Sequence, residues 1–128
     1  RSTLFPYTTL FRSLLKDERN IYRASVIAME SGADFVKTST GKSSVSATPE
    51  AAWIICRAIR DYYNETGIMI GFKPAGGIVT PDEALVYYFI VRNMLGDKWL
   101  TPDFFRIGAS RLANNILSEL YPGKPAYF

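Results

Sequence analysis

Apolar residues recur at the three- and four-residue spacing of amphipathic helices in four segments of the chain. The first segment begins near Asp17 and ends at Gly32, where the glycine would stop the helix. Its predicted buried face consists of Ile21, Ala24, Ile27 and Ala28. The second segment begins at Thr48-Pro49, because threonine is a favoured N-cap and proline a favoured first helical residue, and it ends at Gly67. Its predicted buried stripe consists of Ala51, Ile54, Ile55, Ala58, Ile59 and Tyr62.

The third and fourth predicted helices follow the same rules. Thr80-Pro81-Asp82-Glu83 is a T-x-x-E sequence, in which the threonine and glutamate side chains can cap the helix start reciprocally. We expect this helix to continue to about Leu95 and to close near Gly96. A short turn is predicted at residues 101–103, and residues 111–120 form the fourth predicted helix.

Short apolar runs between these helices predict β-strands at residues 35–37, 68–73 and 105–107. The run at 68–73 is almost continuously apolar, which is typical of a parallel strand covered on both faces. Helices that alternate with strands predict an α/β fold with a parallel sheet. Because a complete (β/α)8 TIM barrel needs about 250 residues, this 128-residue chain is expected to hold the C-terminal three β/α units of an incomplete barrel.

Composition narrows the possible chemistry. Hydrophobic residues make up 48% of the chain, as in a packed globular domain, and charges interrupt every apolar run, so no membrane span is expected. The sequence contains no histidine, which excludes Ser-His-Asp and Cys-His nucleophile systems and histidine-bearing metal sites. Cys56 is the single cysteine, so no intramolecular disulfide can form, and a cytoplasmic location is expected.

The net charge of +3 does not indicate a nucleic-acid partner, because the basic residues form no stripe along the sequence. Two of them, Arg1 and Arg12, lie in a segment without acids or regular periodicity that looks like the translation of a sequencing-library adapter. We therefore treat residues 1–13 as a non-native segment and assign residues 14–120 to the barrel part. Residues 121–128 contain two prolines and a glycine and are expected to form a mobile tail.

Two lysines stand at the ends of neighbouring predicted strands. Because strand residues alternate in direction, Lys37 shares a face with Phe35, and Lys73 shares a face with the small residues Gly71 and Ala75. Adjacent strands lie ~4.8 Å apart, and two ammonium groups so placed cannot both stay charged comfortably, so the pKa of one must fall. A neutral lysine amine is a nucleophile for carbonyl carbon. The alternative is that each lysine only extends its charge to the barrel rim.

Three glycine turns follow the predicted strands and could direct backbone N–H groups towards one anion. The turns are Thr40-Gly41-Lys42, Gly76-Gly77 and Gly108-Ala109-Ser110. The last two precede predicted helix N-termini, and Lys42 adds a positive charge. The last loops of (β/α)8 barrels often form a phosphate site, so the three turns together predict phosphate binding.

The three motifs that carry this pattern resemble those of the deoxyribose-phosphate aldolase family. They are Phe-Val-Lys-Thr-Ser-Thr-Gly-Lys at residues 35–42, Gly-Phe-Lys-Pro-Ala-Gly-Gly-Ile at 71–78 and Phe-Arg-Ile-Gly-Ala-Ser at 105–110. The resemblance extends from about residue 14 to 120. It implies a class I aldolase on a (β/α)8 barrel that reversibly cleaves 2-deoxy-D-ribose 5-phosphate to acetaldehyde and D-glyceraldehyde 3-phosphate. It also implies that neither a metal nor an organic cofactor takes part.

Matched motif by motif, the resemblance assigns roles to individual residues. Lys37 matches the lysine that forms the Schiff base, and Lys73 matches the second lysine, which lowers the pKa of the first and assists proton transfer. The residues that match the phosphate-binding turns are Thr40, Gly41, Lys42, Gly76, Gly77, Gly108 and Ser110. Val79 and Arg111 depart from the family pattern, which often has an arginine and a small hydroxyl residue at these positions. Tyr127 stands near the place of a tail tyrosine that reaches the site in the family.

Three functions therefore remain open at this stage. The first is the deoxyribose-phosphate aldolase, whose partner would be a small sugar phosphate, without nucleic acid or membrane and with a possible homo-oligomeric parent enzyme. The second is another lysine-dependent sugar-phosphate aldolase. The third is a catalytically silent fragment that binds phosphate weakly, because exposed strand edges of a part-barrel favour aggregation.

Overall fold

The computed structural model describes residues 18–38 and 47–123 of the chain. Within these ranges helices and strands alternate in the predicted order as far as the third helix. The elements are helix α1 (Glu18–Glu30), strand β1 (Phe35–Lys37), helix α2 (Pro49–Thr66), strand β2 (Gly71–Lys73), helix α3 (Pro81–Leu95), a 3-10 turn (Asp97–Trp99) and helix α4 (Leu112–Leu120). The predicted non-native segment 1–13, the turn at 40–42 and most of the tail lie outside the described residues.

The predicted capping residues set the helix starts. At the start of α2 the Thr48 hydroxyl accepts a hydrogen bond from the Ala51 N–H at 3.2 Å. At its end Gly67 adopts a left-handed conformation with φ 72°, which glycine reaches without the steric cost that a Cβ would impose. The Thr80 hydroxyl accepts from the Glu83 N–H at 3.2 Å, and the Glu83 carboxylate accepts from the Thr80 N–H at 3.0 Å. The predicted capping box at the start of α3 is therefore present.

The two strands pair in parallel, with Phe35 opposite Gly71 and Lys37 opposite Lys73. The chain after α3 continues the sheet beyond β2 only through two isolated parallel bridges, Phe72 to Phe105 and Ala75 to Gly108. The predicted third strand at residues 105–107 is therefore wrong as a regular strand. The physical reason is Pro74 in the facing segment. The Arg106 and Gly108 N–H groups donate to the Phe72 and Pro74 carbonyls as in a parallel ladder, but Pro74 has no N–H to donate in return.

Strand β2 is also shorter than the predicted run at 68–73. Ile68 is 41% exposed, and its N–H donates to the Thr66 hydroxyl at 3.1 Å rather than to a strand. The Ile70 carbonyl accepts from the indole N–H of Trp99 at 2.8 Å. Within this stretch Ile70 is buried in the same apolar cluster as Trp99, and regular pairing with β1 begins only at Gly71.

The core lies between the strands and helices α1, α2 and α3. Val36 and Phe72 are fully buried, and so are Ile55 and Ile59 of α2. On α1 the buried face is rotated from the predicted one, because Ser25 and Met29 are buried whereas Ile27 is 46% exposed. Ser25 is accommodated in the core because its hydroxyl donates to the Ile21 carbonyl at 2.9 Å.

Gly71 is required by a side chain of the neighbouring strand. A Cβ at this position would lie 2.4 Å from Cε1 of Phe35. The ring of Phe35 also contacts Arg106, whose guanidinium carbon lies 4.6 Å from the ring centroid. We expect Gly71→Ala to lower the free energy of unfolding by about 1–3 kcal/mol, as overpacking typically does. Urea unfolding checks this value, and Gly71→Ala should cost less in a Phe35→Ala chain than in the parent chain, because the ring that the new Cβ meets is gone. A Gly71→Ala chain as stable as the parent would contradict the close approach.

Candidate active site

Lys37 and Lys73 lie opposite each other at the C-terminal ends of the two paired strands. Each is the last residue of its strand, and both side chains are half-buried. The parallel register brings the Cα atoms of partners to the spacing of adjacent strands, ~4.8 Å. The two amines predicted to act together therefore emerge side by side.

The electrostatic environment lowers the pKa of the Lys37 ammonium from its ordinary value. The larger cause is burial, which removes water from the charged form, and the second cause is the positive charge of Lys73. This direction agrees with the expectation that one of the two amines becomes easier to deprotonate. The role of Lys37 as a nucleophile stays a prediction.

A cavity of about 360 Å³ opens beside Lys37. Its lining includes five of the predicted site residues, namely Lys37, Gly76, Gly77, Gly108 and Ser110. Both glycines of the Gly76-Gly77 pair have positive φ, 99° and 77°, a conformation that side chains disfavour. Two of the three predicted turns, Gly76-Gly77 after β2 and Gly108-Ala109-Ser110, therefore line the same cavity. The third, at residues 40–42, lies outside the described residues.

Lys73 does not line this cavity but lies behind its wall. A Cβ at Gly108 would be 3.4 Å from Cε of Lys73 and 2.7 Å from the Ala75 Cβ. The absence of a side chain at Gly108 therefore makes room for the Ala75 Cβ, and the Lys73 stem lies in van der Waals range of the same position. In this arrangement Lys73 acts on Lys37 through its charge rather than by facing the same space.

The charge of the lining suits an anion. Lys37 and Arg111 line the cavity, and no carboxylate does so among the described residues. Ser110 and Arg111 immediately precede Leu112, the first residue of α4, so the positive end of that helix dipole lies at the cavity. Val79 and Arg111, the two departures from the family pattern, both line it. Thr40, Gly41, Lys42 and Tyr127 fall outside the described residues.

Two contacts hold the turn at Val79. Its N–H donates to the Glu83 carboxylate at 2.7 Å, and its carbonyl accepts from the Asn115 side-chain amide at 2.8 Å. The first of these hydrogen bonds is also the main cause that lowers the pKa of Glu83. Helices α3 and α4 thus fix the exit of the Gly76-Gly77 turn. Sequence reasoning assigned Glu83 only to helix capping and did not single out Asn115.

Thr38 is a positioning residue that sequence reasoning missed. Its side chain is buried, and its hydroxyl both donates to the Ala75 carbonyl at 3.0 Å and accepts from the Ala75 N–H at 2.8 Å. These two bonds tie the residue after Lys37 to the residue before Gly76. The available signal was a hydroxyl side chain directly after a buried strand, where an apolar residue would otherwise be expected.

We expect Thr38→Val to lower the free energy of unfolding by about 1–3 kcal/mol, because it leaves the buried Ala75 backbone groups without these partners. Valine keeps nearly the same shape, so the loss reports the hydroxyl rather than the volume. Thr38→Ser, which keeps the hydroxyl, is the matched control and should lie closer to the parent chain in urea unfolding. If valine and serine behave alike, the two bonds to Ala75 do not stabilise the fold.

The parallel α/β arrangement with two lysines at one strand edge defines a candidate lysine-dependent aldolase. The chain belongs to the DeoC/LacD aldolase family, whose family model matches residues 7–98. It is 54% identical over 102 residues to the deoxyribose-phosphate aldolase of Mus musculus, covering 80% of this chain and 32% of that protein. It is 47% identical over 112 residues to that of Agrobacterium fabrum, covering 88% of this chain and 42% of that protein.

A solved structure agrees with the sequence relatives. A protein of Toxoplasma gondii ME49, provisionally assigned as a deoxyribose-phosphate aldolase, superimposes with a TM-score of 0.67 at 33% identity. The superposition covers 73% of this chain and 36% of that chain. The chain thus spans between about a third and two fifths of the relatives it matches. The predicted fold class, an α/β part of a TIM barrel, is confirmed.

No helix among the described residues is both long and apolar enough to traverse a lipid bilayer. The longest, α2, carries charged residues along its length, including Arg57 and Asp61. Arg57 is paired with Glu18 of α1 at 2.8 Å, and Asp61 accepts from the Tyr22 hydroxyl at 2.8 Å. The charges on α2 therefore connect it to α1.

Proposed function

We propose that this chain supplies the Schiff-base centre and part of the phosphate site of a deoxyribose-phosphate aldolase. One observation carries the proposal: the register that sets Lys37 opposite Lys73 beside a cavity lined by glycine turns. The names of the relatives at 54% and 47% identity support the choice of substrate. Lys37 is the nucleophile in this proposal, and burial together with the charge of Lys73 favours its neutral amine.

The proposed reaction begins when the neutral amine of Lys37 adds to the C1 carbonyl of 2-deoxy-D-ribose 5-phosphate. Loss of water leaves an iminium, which withdraws electrons. A base then removes the proton of the C3 hydroxyl, the C2–C3 bond breaks, and its electron pair passes into the iminium to form an enamine. D-Glyceraldehyde 3-phosphate leaves. Protonation of the enamine carbon and addition of water release acetaldehyde and the free amine, so no metal or organic cofactor is consumed.

The substrate phosphate is proposed to bind at the far end of the cavity from Lys37. Gly76, Gly77, Gly108 and Ser110 would offer backbone and hydroxyl groups there, and Arg111 would add a charge. Thr40, Gly41 and Lys42 would complete the site from the turn after β1. The positive end of α4 supports an anion at this place.

The remaining expectations form part of the same proposal. The partner is a small sugar phosphate, not nucleic acid or membrane, and the location is cytoplasmic. We also propose that residues 1–13 are non-native, that 14–120 belong to the aldolase domain and that 121–128 form a tail. The family match begins at residue 7, so reading the coding sequence upstream is the test of that first boundary.

Borohydride trapping distinguishes the proposal from its alternatives. The chain is incubated with 2-deoxy-D-ribose 5-phosphate or with acetaldehyde, reduced, and mapped by peptide mass spectrometry. An adduct on Lys37 from both compounds supports the deoxyribose-phosphate aldolase. An adduct formed only from a different sugar phosphate favours another lysine-dependent aldolase. A folded chain that gives no adduct, while binding inorganic phosphate weakly, identifies the silent fragment and contradicts the proposed function for this chain.

A further inference from the structure

The two glycine turns that line the cavity of the candidate site are connected at two points. Where the turns begin, the Gly108 N–H donates to the Pro74 carbonyl at 2.9 Å. Where the first turn ends, the Asn115 side-chain amide of α4 donates to the Val79 carbonyl at 2.8 Å. The two turns and the first turn of α4 therefore form a closed ring, which includes every described lining residue of the cavity except Lys37.

Asn115 stands one helical turn after the residues of α4 that reach the cavity. Its backbone N–H donates to the Arg111 carbonyl at 3.1 Å, and Ser110 and Arg111 line the cavity. A carbonyl oxygen only accepts hydrogen bonds, so it is the amide nitrogen of Asn115 that faces Val79. The start of α4 and the end of the Gly76-Gly77 turn are therefore held at a fixed separation.

The Gly76-Gly77 turn needs such a contact, because two adjacent glycines give the backbone little stiffness of its own. Glu83 also holds Val79, through the hydrogen bond from the Val79 N–H at 2.7 Å. That bond spans four residues and belongs to the start of α3, so it does not set the distance to α4. The Asn115 bond spans 36 residues and does set it.

We propose that Asn115 is a positioning residue for the substrate phosphate, and that it sets the preference for a phosphorylated over an unphosphorylated sugar. An anion held between two turns needs the donors of both at hydrogen-bond distance, and such bonds weaken steeply with poor geometry. Asn115 is not among the described residues that line the cavity, so it acts through Val79. The role rests on the proposed function, which supplies the sugar phosphate.

Asn115→Leu tests the role, because leucine has a similar size, lacks the donor and favours a helix more than asparagine does. The concentration of 2-deoxy-D-ribose 5-phosphate that gives half-maximal borohydride-trapped adduct should rise roughly three- to tenfold. Maximal labelling by this compound should stay at the parent value. Labelling by acetaldehyde or by 2-deoxy-D-ribose should not change, because neither carries a phosphate. A loss shared by all three compounds would show a merely structural role and overturn the proposal, and so would an unchanged half-maximal concentration.

Two further variants test whether the hydrogen bond itself is the cause. Asn115→Asp keeps the shape of the side chain but has no N–H, so it should weaken the use of the phosphorylated sugar at least as much as Asn115→Leu. Asn64 is an exposed asparagine near the end of α2 that lines a different cavity, beside Trp99. Asn64→Leu is the matched control and should behave as the parent. If Asn115→Asp also behaves as the parent, or if Asn64→Leu acts like Asn115→Leu, the bond to Val79 does not position the phosphate.

Inorganic phosphate separates a failure of this role from a failure of the proposed function. Its binding, measured by isothermal titration calorimetry, requires no imine. Asn115→Leu should bind it roughly three- to tenfold more weakly than the parent, and Asn64→Leu should bind it equally well. If the parent forms no adduct with any compound but phosphate binding follows this order, the proposed function is wrong and the positioning role stands. If the parent binds no phosphate, or if Asn115→Leu binds it as the parent does, the positioning role is wrong.

Discussion

Replacing Lys37 by methionine should abolish the borohydride-stable adduct that the chain forms with acetaldehyde. Methionine has similar length but no amine, so the carbonyl carbon has no nucleophile at this position. We expect labelling to fall at least about a hundredfold, because the amine proposed to form the imine is gone. Lys98→Met is the matched control, because Lys98 is an exposed lysine on the 3-10 turn, and it should leave the adduct unchanged.

The pH dependence of labelling separates the two causes that act on Lys37. Its lowered pKa means that the neutral, reactive amine appears at a lower pH than that of an ordinary lysine. The midpoint of labelling against pH should therefore lie below the pKa of an ordinary lysine. Lys73→Met removes the second cause, a neighbouring charge, and should move the midpoint upwards. It should not move it to the ordinary value, because burial, the larger cause, remains.

Two results would contradict this account. If Lys73→Met leaves the midpoint unchanged, the strand register does not couple the two amines. If Lys37→Met and Lys98→Met lose equal amounts of adduct, the label reports surface lysines and not a site. Circular dichroism of each variant, recorded beside the labelling, shows that the folded chain is being compared.

Replacing Ile55 by alanine should lower the free energy of unfolding by about 2–5 kcal/mol, as for other large-to-small core substitutions. Ile55 lies on the inward face of α2 and is fully buried in the cluster formed with Val36 and Phe72. Removing three carbons there forfeits burial and leaves a cavity that close-packed neighbours cannot fill completely. Urea unfolding followed by circular dichroism gives the value.

Ile27→Ala is the matched control for Ile55→Ala. Ile27 lies at a helical position in α1 with the same residue type but is 46% exposed. Its substitution should change stability by no more than about 0.5 kcal/mol, because little apolar surface leaves the core and alanine favours a helix. Equal losses at the two positions would show that Ile27 is buried in the folded chain, as its spacing alone suggested.

Local signals in the sequence predicted most of the element boundaries. Thr48 and Thr80 begin helices because their hydroxyls cap backbone N–H groups that no helical turn can satisfy. Gly67 ends a helix because the required positive φ suits glycine alone. These causes act within a few residues, so a reader of the chain can find them. Strand β1 was likewise found with its observed bounds, residues 35–37.

The predicted strands are wrong where a residue far along the chain decides which backbone hydrogen bonds can form. Residues 68–70 look like strand, yet the Trp99 indole takes the carbonyl of Ile70 from another part of the chain. Residues 105–107 look like strand, yet Pro74 of the facing segment has no N–H with which to continue the ladder. Apolar runs show that a segment is buried, but they do not show which partner its hydrogen bonds find.

In the candidate site, too, local features could be predicted from the sequence, whereas contacts between distant residues could not. The glycine turns and the two lysines were visible in the sequence because their residue types are unusual at strand ends. The double hydrogen bond of Thr38 to Ala75 was not visible, since it joins residues from different strands. The position of Lys73 behind Gly108, outside the cavity, was not visible either. It depends on how residues 105–108 pair with the segment that begins at β2.

By itself, the sequence determined which segments are helical, which side chains are chemically able to form an imine, and which turns carry the glycines that an anion site needs. These properties depend on residue type and on neighbours a few positions away. Only the tertiary structure decided that Lys37 stands beside Lys73, that Ile27 faces outwards and that Asn115 of α4 contacts Val79. Those outcomes depend on the register and rotation of packed elements, which are set by contacts between residues far apart along the chain.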